Sequence, residues 1–287
     1  MKKNLLRLFS ALFTFTFLIS SCKQTTTTSQ TTTGNIGSCI IGKWSSGSLP
    51  LNLKMSSEFS GDYTNSDLVG GLNPLEQVAQ AWNNATLPST TLITTPFPIA
   101  STTGYSSTSS FRDGEIGIYK SHSWFSGVSS GALAITQFYG VVTASPALGG
   151  QYINLTHADI IVNYRDYGSR ITMSYNPFVE FDLPTIVLHE MGHLVGLCHE
   201  SSRPSVMAPY YLTTQRSLQN YDIDLIKDIY VDGVITPFSA QAKNTNALSS
   251  SPGTEVKGVI ELHADGKCIH YINGKKIYEH TADLKRL

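Results

Sequence analysis

Residues 189–199 read His189-Glu190-Met191-Gly192-His193-Leu194-Val195-Gly196-Leu197-Cys198-His199, and three of the chain's eight histidines fall in this window. Two histidines four apart on a helix lie on one face a turn apart, so their imidazoles can converge on one ion. Glu190 projects beside them and can reach a water on that ion, the position a general base for hydrolysis needs. A third histidine six residues after His193 points elsewhere if the helix continues. Gly196 supplies the stop, because glycine takes a left-handed conformation without steric cost, and a turn there swings His199 back. Three neutral imidazoles and one water make a four-coordinate catalytic zinc site with an open position. Such an ion acidifies its water and polarises a carbonyl. A purely structural zinc site normally closes with a fourth protein ligand and has no use for Glu190. Cys198, next to a ligand, is read as a buried or disulfide-bonded thiol, because adjacent residues seldom face one ion.

The helix carrying these ligands is expected over about Leu183 to Val195, with another over Asp222 to Tyr230, where Ile223, Ile226, Ile229 and Tyr230 repeat at helical spacing. Asn73-Pro74-Leu75-Glu76 reads as an N-cap, a proline at the first helical position and a reaching-back glutamate. The helix behind it puts Leu75, Val78, Ala79 and Trp82 on one face, which makes Trp82 a core residue. Strands are expected at Leu49–Met55, Glu115–Tyr119, Ala132–Phe138 and Asp159–Tyr164. After a Ser, Ala and Asn-rich linker, Val256–His263, Lys267–Ile272 and Lys275–His280 read as three short strands, the last two joined by an Asn273-Gly274 hairpin turn. No chemistry is read in this meander: His263, His270 and His280 show no convergent pattern. His122 and His157 are read as surface or strand residues without a partner at ligand spacing.

The 287 residues are 41% apolar and 14% charged, and 20 Lys+Arg nearly cancel 21 Asp+Glu. That is enough apolar content for a core, and the net charge of −1 offers no field for polyphosphate, so nucleic acid is not an expected partner. Lys2, Lys3 and Arg7 precede an apolar run from Leu8 to Ile19, the layout of a secretory signal and too short to span a bilayer. Ile19-Ser20-Ser21-Cys22 resembles a bacterial lipoprotein processing site, so Cys22 is the expected lipid attachment point, with a soluble secreted product as the alternative. Lys23 to Gly34 is nearly all Thr, Ser and Gln, a tether with nothing to bury. Among Cys39, Cys198 and Cys268, three disulfide pairings are open, each leaving one thiol. The expected organisation is a signal at 1–21, a lipid-anchored tether at 22–38, a catalytic domain at 39–235, a linker at 236–254 and a small β-meander at 255–287.

The pattern His189, Glu190, His193, Gly196 and His199 resembles the metzincin metallopeptidases at every fixed position. Ser205-Val206-Met207-Ala208-Pro209-Tyr210-Tyr211 resembles their methionine turn, and its short distance from His199 resembles the matrixins, although Glu200 stands where matrixins commonly have Ser. The resemblance implies an α+β fold: a twisted, mostly parallel sheet with an antiparallel edge strand, an active-site helix, a methionine turn and a closing C-terminal helix, with the β-meander appended. It implies Met207 as the floor of the metal site and Pro209 with Tyr211 as the wall of an apolar pocket. It further implies Leu133 and Ala134 on an edge strand that pairs with substrate in an antiparallel mode. Where vertebrate relatives place a second, structural zinc, this chain has Ile135 and no His-rich, acid-rich loop, so one zinc is expected. Calcium is common in the family but no acidic ligand loop supports it here. No upstream Pro-Arg-Cys-Gly-type inhibitory segment is present, and Cys39 is assigned a disulfide role.

The expected protein is thus an exported, extracytoplasmic, membrane-anchored zinc metalloendopeptidase, monomeric and acting on protein or peptide substrates by Glu190-assisted attack of zinc-bound water. The alternatives are a surface lipoprotein that binds peptides without cleaving them and a peptidoglycan amide hydrolase.

Overall fold

The computed structural model describes residues 42–145, 150–174, 176, 178, 180–200, 203–211, 213–233 and 251–281. The signal, Cys22, the tether, Cys39 and most of the linker lie outside the described residues. In chain order the elements are β1 (Gly42–Trp44), β2 (Leu53–Met55), α1 (Pro74–Thr86), β3 (Ile116–Ser121), β4 (Ala132–Ser145) and β5 (Gly150–Asn163). There follow α2 (Tyr164–Tyr167), β6 (Ile171–Thr172), β7 (Phe181–Asp182), α3 (Leu183–Leu194) and α4 (Asn220–Tyr230), then β8 (Glu255–His263), β9 (Lys267–Ile272) and β10 (Lys275–Thr281).

One sheet runs in the order β10-β9-β8-β4-β5-β3-β2, with β1 also paired to β5. Strands β1, β2, β3 and β5 are mutually parallel, and β4 lies antiparallel to β5. This is the mixed α+β arrangement the resemblance implied. The meander extends that sheet: β8 pairs antiparallel with β4, and β9 and β10 follow outward. Asn273 (φ 51°) and Gly274 (φ 76°) form the turn between β9 and β10, the left-handed pair that a tight hairpin demands.

Strands β4 and β5 run well past the ends expected from their apolar stretches. Each is fourteen residues long and the two pair from Ala134↔Val162 to Ser145↔Gly150, with an irregularity at Tyr139/Gly140. Polar residues that break the apolar reading are satisfied inside the fold. Asp159 accepts the Gly117 N–H at 3.0 Å and sits 2.8 Å from His157 Nε2.

Helix α1 starts as expected: the Asn73 side chain accepts the Leu75 and Glu76 N–H groups, and Glu76 accepts the Asn73 N–H in return. It packs on α3 and α4. Trp82 is fully buried in the main core and its indole N–H donates to the Leu188 carbonyl at 3.2 Å, which ties α1 to the turn of α3 just before the first histidine.

Candidate metal centre

Helix α3 begins on the Asp182 carboxylate, which accepts the Thr185 N–H at 3.0 Å and is gripped by the Arg216 guanidinium, Nε lying 3.0 Å from Oδ2. Pro184 occupies its first turn, where no N–H is needed. Its residues are apolar on nearly every side because β4 and β5 lie below it and α1 beside it.

The helix ends as the glycine spacing predicts. Gly196 takes φ +100°, its N–H donates to the His193 carbonyl at 2.9 Å, and the Leu197 N–H reaches back to the Gly192 carbonyl at 2.8 Å. This pair of bonds is a Schellman ending. The last helical carbonyls are not left bare: the Trp44 indole N–H donates to Leu194 at 2.7 Å and the Tyr230 hydroxyl donates to Val195 at 2.8 Å. Strand β1 and helix α4 therefore hold the point where the chain turns towards His199.

The turn brings the three expected ligands together. The Nε2 atoms of His189 and His193 are 3.1 Å apart, and His199 Nε2 lies 3.1 Å from the first and 2.9 Å from the second. His189 Nδ1 donates to the Val206 carbonyl at 2.8 Å and His193 Nδ1 donates to the Leu197 carbonyl at 2.9 Å. With those protons placed, each Nε2 presents a lone pair to the others, an arrangement that needs a cation at its centre. Burial drives His189 down to about 4, and burial with the neighbouring rings holds His193 and His199 well below the usual imidazole range. All three are neutral, which is the ligand form. The donor set, three imidazole nitrogens converging within about 3 Å, fits a zinc ion.

Glu190 is fully buried, and burial pushes its carboxyl up to about 8, with the Thr136 hydroxyl pulling the other way. Thr136 Oγ1 lies 2.5 Å from Glu190 Oε2. Glu190 Oε1 has no hydrogen-bond partner in the described structure, and a buried carboxylate oxygen left unpaired is costly unless a bound group completes it. It is the oxygen available to a water.

Met207 is fully buried and packs under α3: a Cβ on Gly192 would lie 2.2 Å from its sulfur. The methionine turn hangs on Asp222, which accepts the Ser205 hydroxyl, the Val206 N–H at 3.0 Å and the Gln219 N–H at 2.8 Å. Because the Val206 carbonyl in turn fixes His189, Asp222 acts on the metal through two links. Replacing Asp222 with Asn turns one acceptor into a donor inside a buried site that offers only donors. We expect a loss of about 2–3 kcal/mol, read as a melting temperature lower by roughly 4–12 °C, with zinc held more weakly in a competitive chelator titration.

A cavity of about 370 Å³ beside His189 is lined by Thr185, Tyr210, Tyr211, Gln215 and Leu262, among others. Tyr211 thus stands where a pocket wall was expected, its hydroxyl oxygen accepting the Asp182 N–H at 2.9 Å. Pro209 is buried in the same segment without being part of that lining. A larger hollow of about 640 Å³, bounded by Lys43, Asn83, Thr94 and Tyr230, holds no converging set of titratable groups.

Two expectations need correction. Leu133 and Ala134 lie on β4 as expected, but both are fully buried and the outer side of β4 is occupied by β8, with Ala134 opposite Leu262. The meander, read as free of chemistry, reaches the metal site: Cys268 Sγ is 3.4 Å from His199 Nε2, and His270 Nε2 is 2.9 Å from His199 Nδ1. Two groups of potential ligands therefore share His199, one with His189 and His193, the other with Cys268 and His270. The clue was the Cys268-x-His270 spacing, which puts both side chains on one face of a strand. Cys198 is disulfide-bonded, and Cys268 is a free, buried thiol. Thr136, Ser205 and Asp222 were also missed, having no local signal beyond the helix-capping pattern of Gln219 and Asp222.

Residues 105–231 match the sequence profile of the family described as Matrixin. Those residues carry the matrixin sequence pattern. Karilysin of Tannerella forsythia is 35% identical to the chain over 85 residues, a stretch covering 30% of it and 16% of that protein. The chain therefore spans only a small part of that relative. Matrixins are zinc metallopeptidases, and the cluster of His189, His193 and His199 fits such a metal. Strand β1 and helix α1 lie ahead of the matched segment, yet through Trp44 and Trp82 they hold the helix that carries the first two histidines.

Proposed function

We propose that this chain is a zinc-dependent metalloendopeptidase that hydrolyses peptide bonds in extracytoplasmic proteins. The observation that carries the reading is the convergence of three neutral imidazole nitrogens with a buried carboxylate, Glu190, one of whose oxygens is unpartnered. His189, His193 and His199 would hold one zinc ion, which supplies Lewis acidity to a water and to the substrate carbonyl. Glu190 takes the proton of the attacking water at Oε1 and returns it to the departing amine. Thr136 holds Oε2, which keeps the free oxygen aimed and spares Glu190 a choice of rotamers. Tyr211 and the cavity beside His189 receive the side chain that follows the cleaved bond, with an apolar preference. Calcium forms no part of the proposal.

The same reading places the protein outside the cytoplasm as a monomer, held to a membrane by a lipid on Cys22. No helix among the described residues is long and apolar enough to cross a membrane.

The test is digestion of a peptide library and of a cell-wall preparation side by side, read by mass spectrometry. It is run with the wild type and with a Cys268→Ala variant, so that the sulfur beside His199 does not mask turnover. Zinc-dependent peptide cuts are expected. Peptide binding without cuts in either protein would favour the binding lipoprotein, and cell-wall cuts alone the amide hydrolase. Removing the ion with a chelator should also unfold the protein earlier. At zinc 1,000-fold above its Kd, binding contributes about 4 kcal/mol, so the melting temperature should fall by roughly 8–16 °C.

A further inference from the structure

His199 is held differently from the other two histidines of the cluster. His189 and His193 sit on α3, and each rests its Nδ1 on a backbone carbonyl, that of Val206 or Leu197. His199 lies beyond the helix, on the turn made at Gly196, and its Nδ1 meets a side chain instead. His270 Nε2 stands 2.9 Å away. That imidazole comes from β9, 71 positions further along the chain, and lies outside the matched residues 105–231.

Strand pairing delivers it. Thr136 on β4 is opposite Ile260 on β8, Ile260 is opposite His270 on β9, and His270 is opposite Tyr278 on β10. Residues directly opposite each other project to the same face of a sheet. One row across the sheet therefore carries both Thr136, whose hydroxyl meets Glu190, and His270, which meets His199. His270 is 3% exposed, and Tyr278 packs against its ring at 80° with centroids 5.1 Å apart. Burial and that edge-on contact hold the imidazole in place.

We infer that His270 is a positioning residue of the metal centre: it accepts the Nδ1 proton of His199, fixes the tautomer and orientation of that ring, and makes the C-terminal meander part of the zinc site. The inference rests on the zinc-peptidase reading above. A neutral imidazole carries one N–H, so only one proton lies between the two facing nitrogens. If His270 donated it, the His199 proton would sit on Nε2, and the nitrogen that faces His189 and His193 would be no ligand. With His270 accepting, that nitrogen keeps its lone pair. A metal-binding histidine usually rests its other nitrogen on a carboxylate, a backbone carbonyl or water, and losing that partner costs about 10- to 100-fold in metal affinity. Here a second imidazole takes the partner's place. His270 touches no reacting atom and acts through His199.

Nuclear magnetic resonance of the zinc-loaded full chain, with isotope-labelled histidine nitrogens, tests this directly. An N–H···N bond transmits a scalar coupling between its two nitrogens, so His199 Nδ1, carrying the proton, should couple to His270 Nε2. That spectrum needs no variant to fold. Zinc affinity is measured in parallel by competitive chelator titration. His270→Ala should bind zinc about 10- to 100-fold more weakly. His270→Gln, whose amide oxygen can accept the same proton, should stay within about threefold of the wild type, a rescue that packing alone does not give. No coupling in the zinc-loaded wild type, unweakened zinc in His270→Ala, or equal weakening in both variants overturns the role of His270 and leaves the peptidase reading standing. A wild type that binds no zinc removes both.

Discussion

Glu190→Gln is expected to lower peptide turnover about 100- to 10,000-fold, the range that a positioned general base contributes, while zinc content stays at that of the parent. Measured in the Cys268→Ala background, the loss reports on proton transfer alone. Glutamine suits the test because Glu190 is fully buried and held by Thr136, so a side chain of the same shape keeps the packing and the Thr136 hydrogen bond. It carries no basic oxygen for the water's proton. Turnover within about threefold of the parent would remove Glu190 from the role, because a loss of that size is far below the contribution of a general base. Loss of zinc together with activity would show that the carboxylate supports the ion rather than the reaction.

Gly196→Ala should have the largest structural effect of any single methyl group in the site. A Cβ at this position would stand 1.8 Å from the Gly42 carbonyl oxygen, and the residue's φ of +100° is one that side chains rarely adopt. The clash is with backbone in β1, which cannot swing aside like a side chain. Relief requires β1 to leave β5 or the α3 terminus to unwind, and unwinding carries His199 away from the other two imidazoles. We expect at least about 3 kcal/mol of destabilisation, a melting temperature lower by roughly 6–12 °C or more, and zinc lost on dialysis. Near wild-type zinc affinity and stability would mean that His199 is placed by something other than this turn.

The local parts of this protein were legible because their physics is local. Helix periodicity puts His189 and His193 on one face, and the glycine ending places the break before His199. Asn73 and Glu76 mark the start of α1 within four residues. The Asn273-Gly274 turn marks the hairpin of the meander, whose three strands fall within a residue of their expected ends. The family pattern carried the methionine turn, and Met207 is buried beneath Gly192.

What lay hidden depends on residues far apart in the chain. Asp222 looks like an ordinary first-turn carboxylate, and only the packing of α4 brings it to Ser205 and Val206. Thr136 is one polar residue in a strand until α3 lies over it. Cys268 stands 69 positions from His199, and nothing in the sequence around it says that β8 chooses β4 as its neighbour. Strand partners are set by which edge is open and which apolar faces must be covered, a competition decided by the assembled sheet. The sequence by itself determined the metal chemistry, since ligand types and spacing lie within eleven residues. Only the tertiary structure decided that the edge of β4 is filled and that a sulfur meets the third histidine, because strand pairing is a long-range choice.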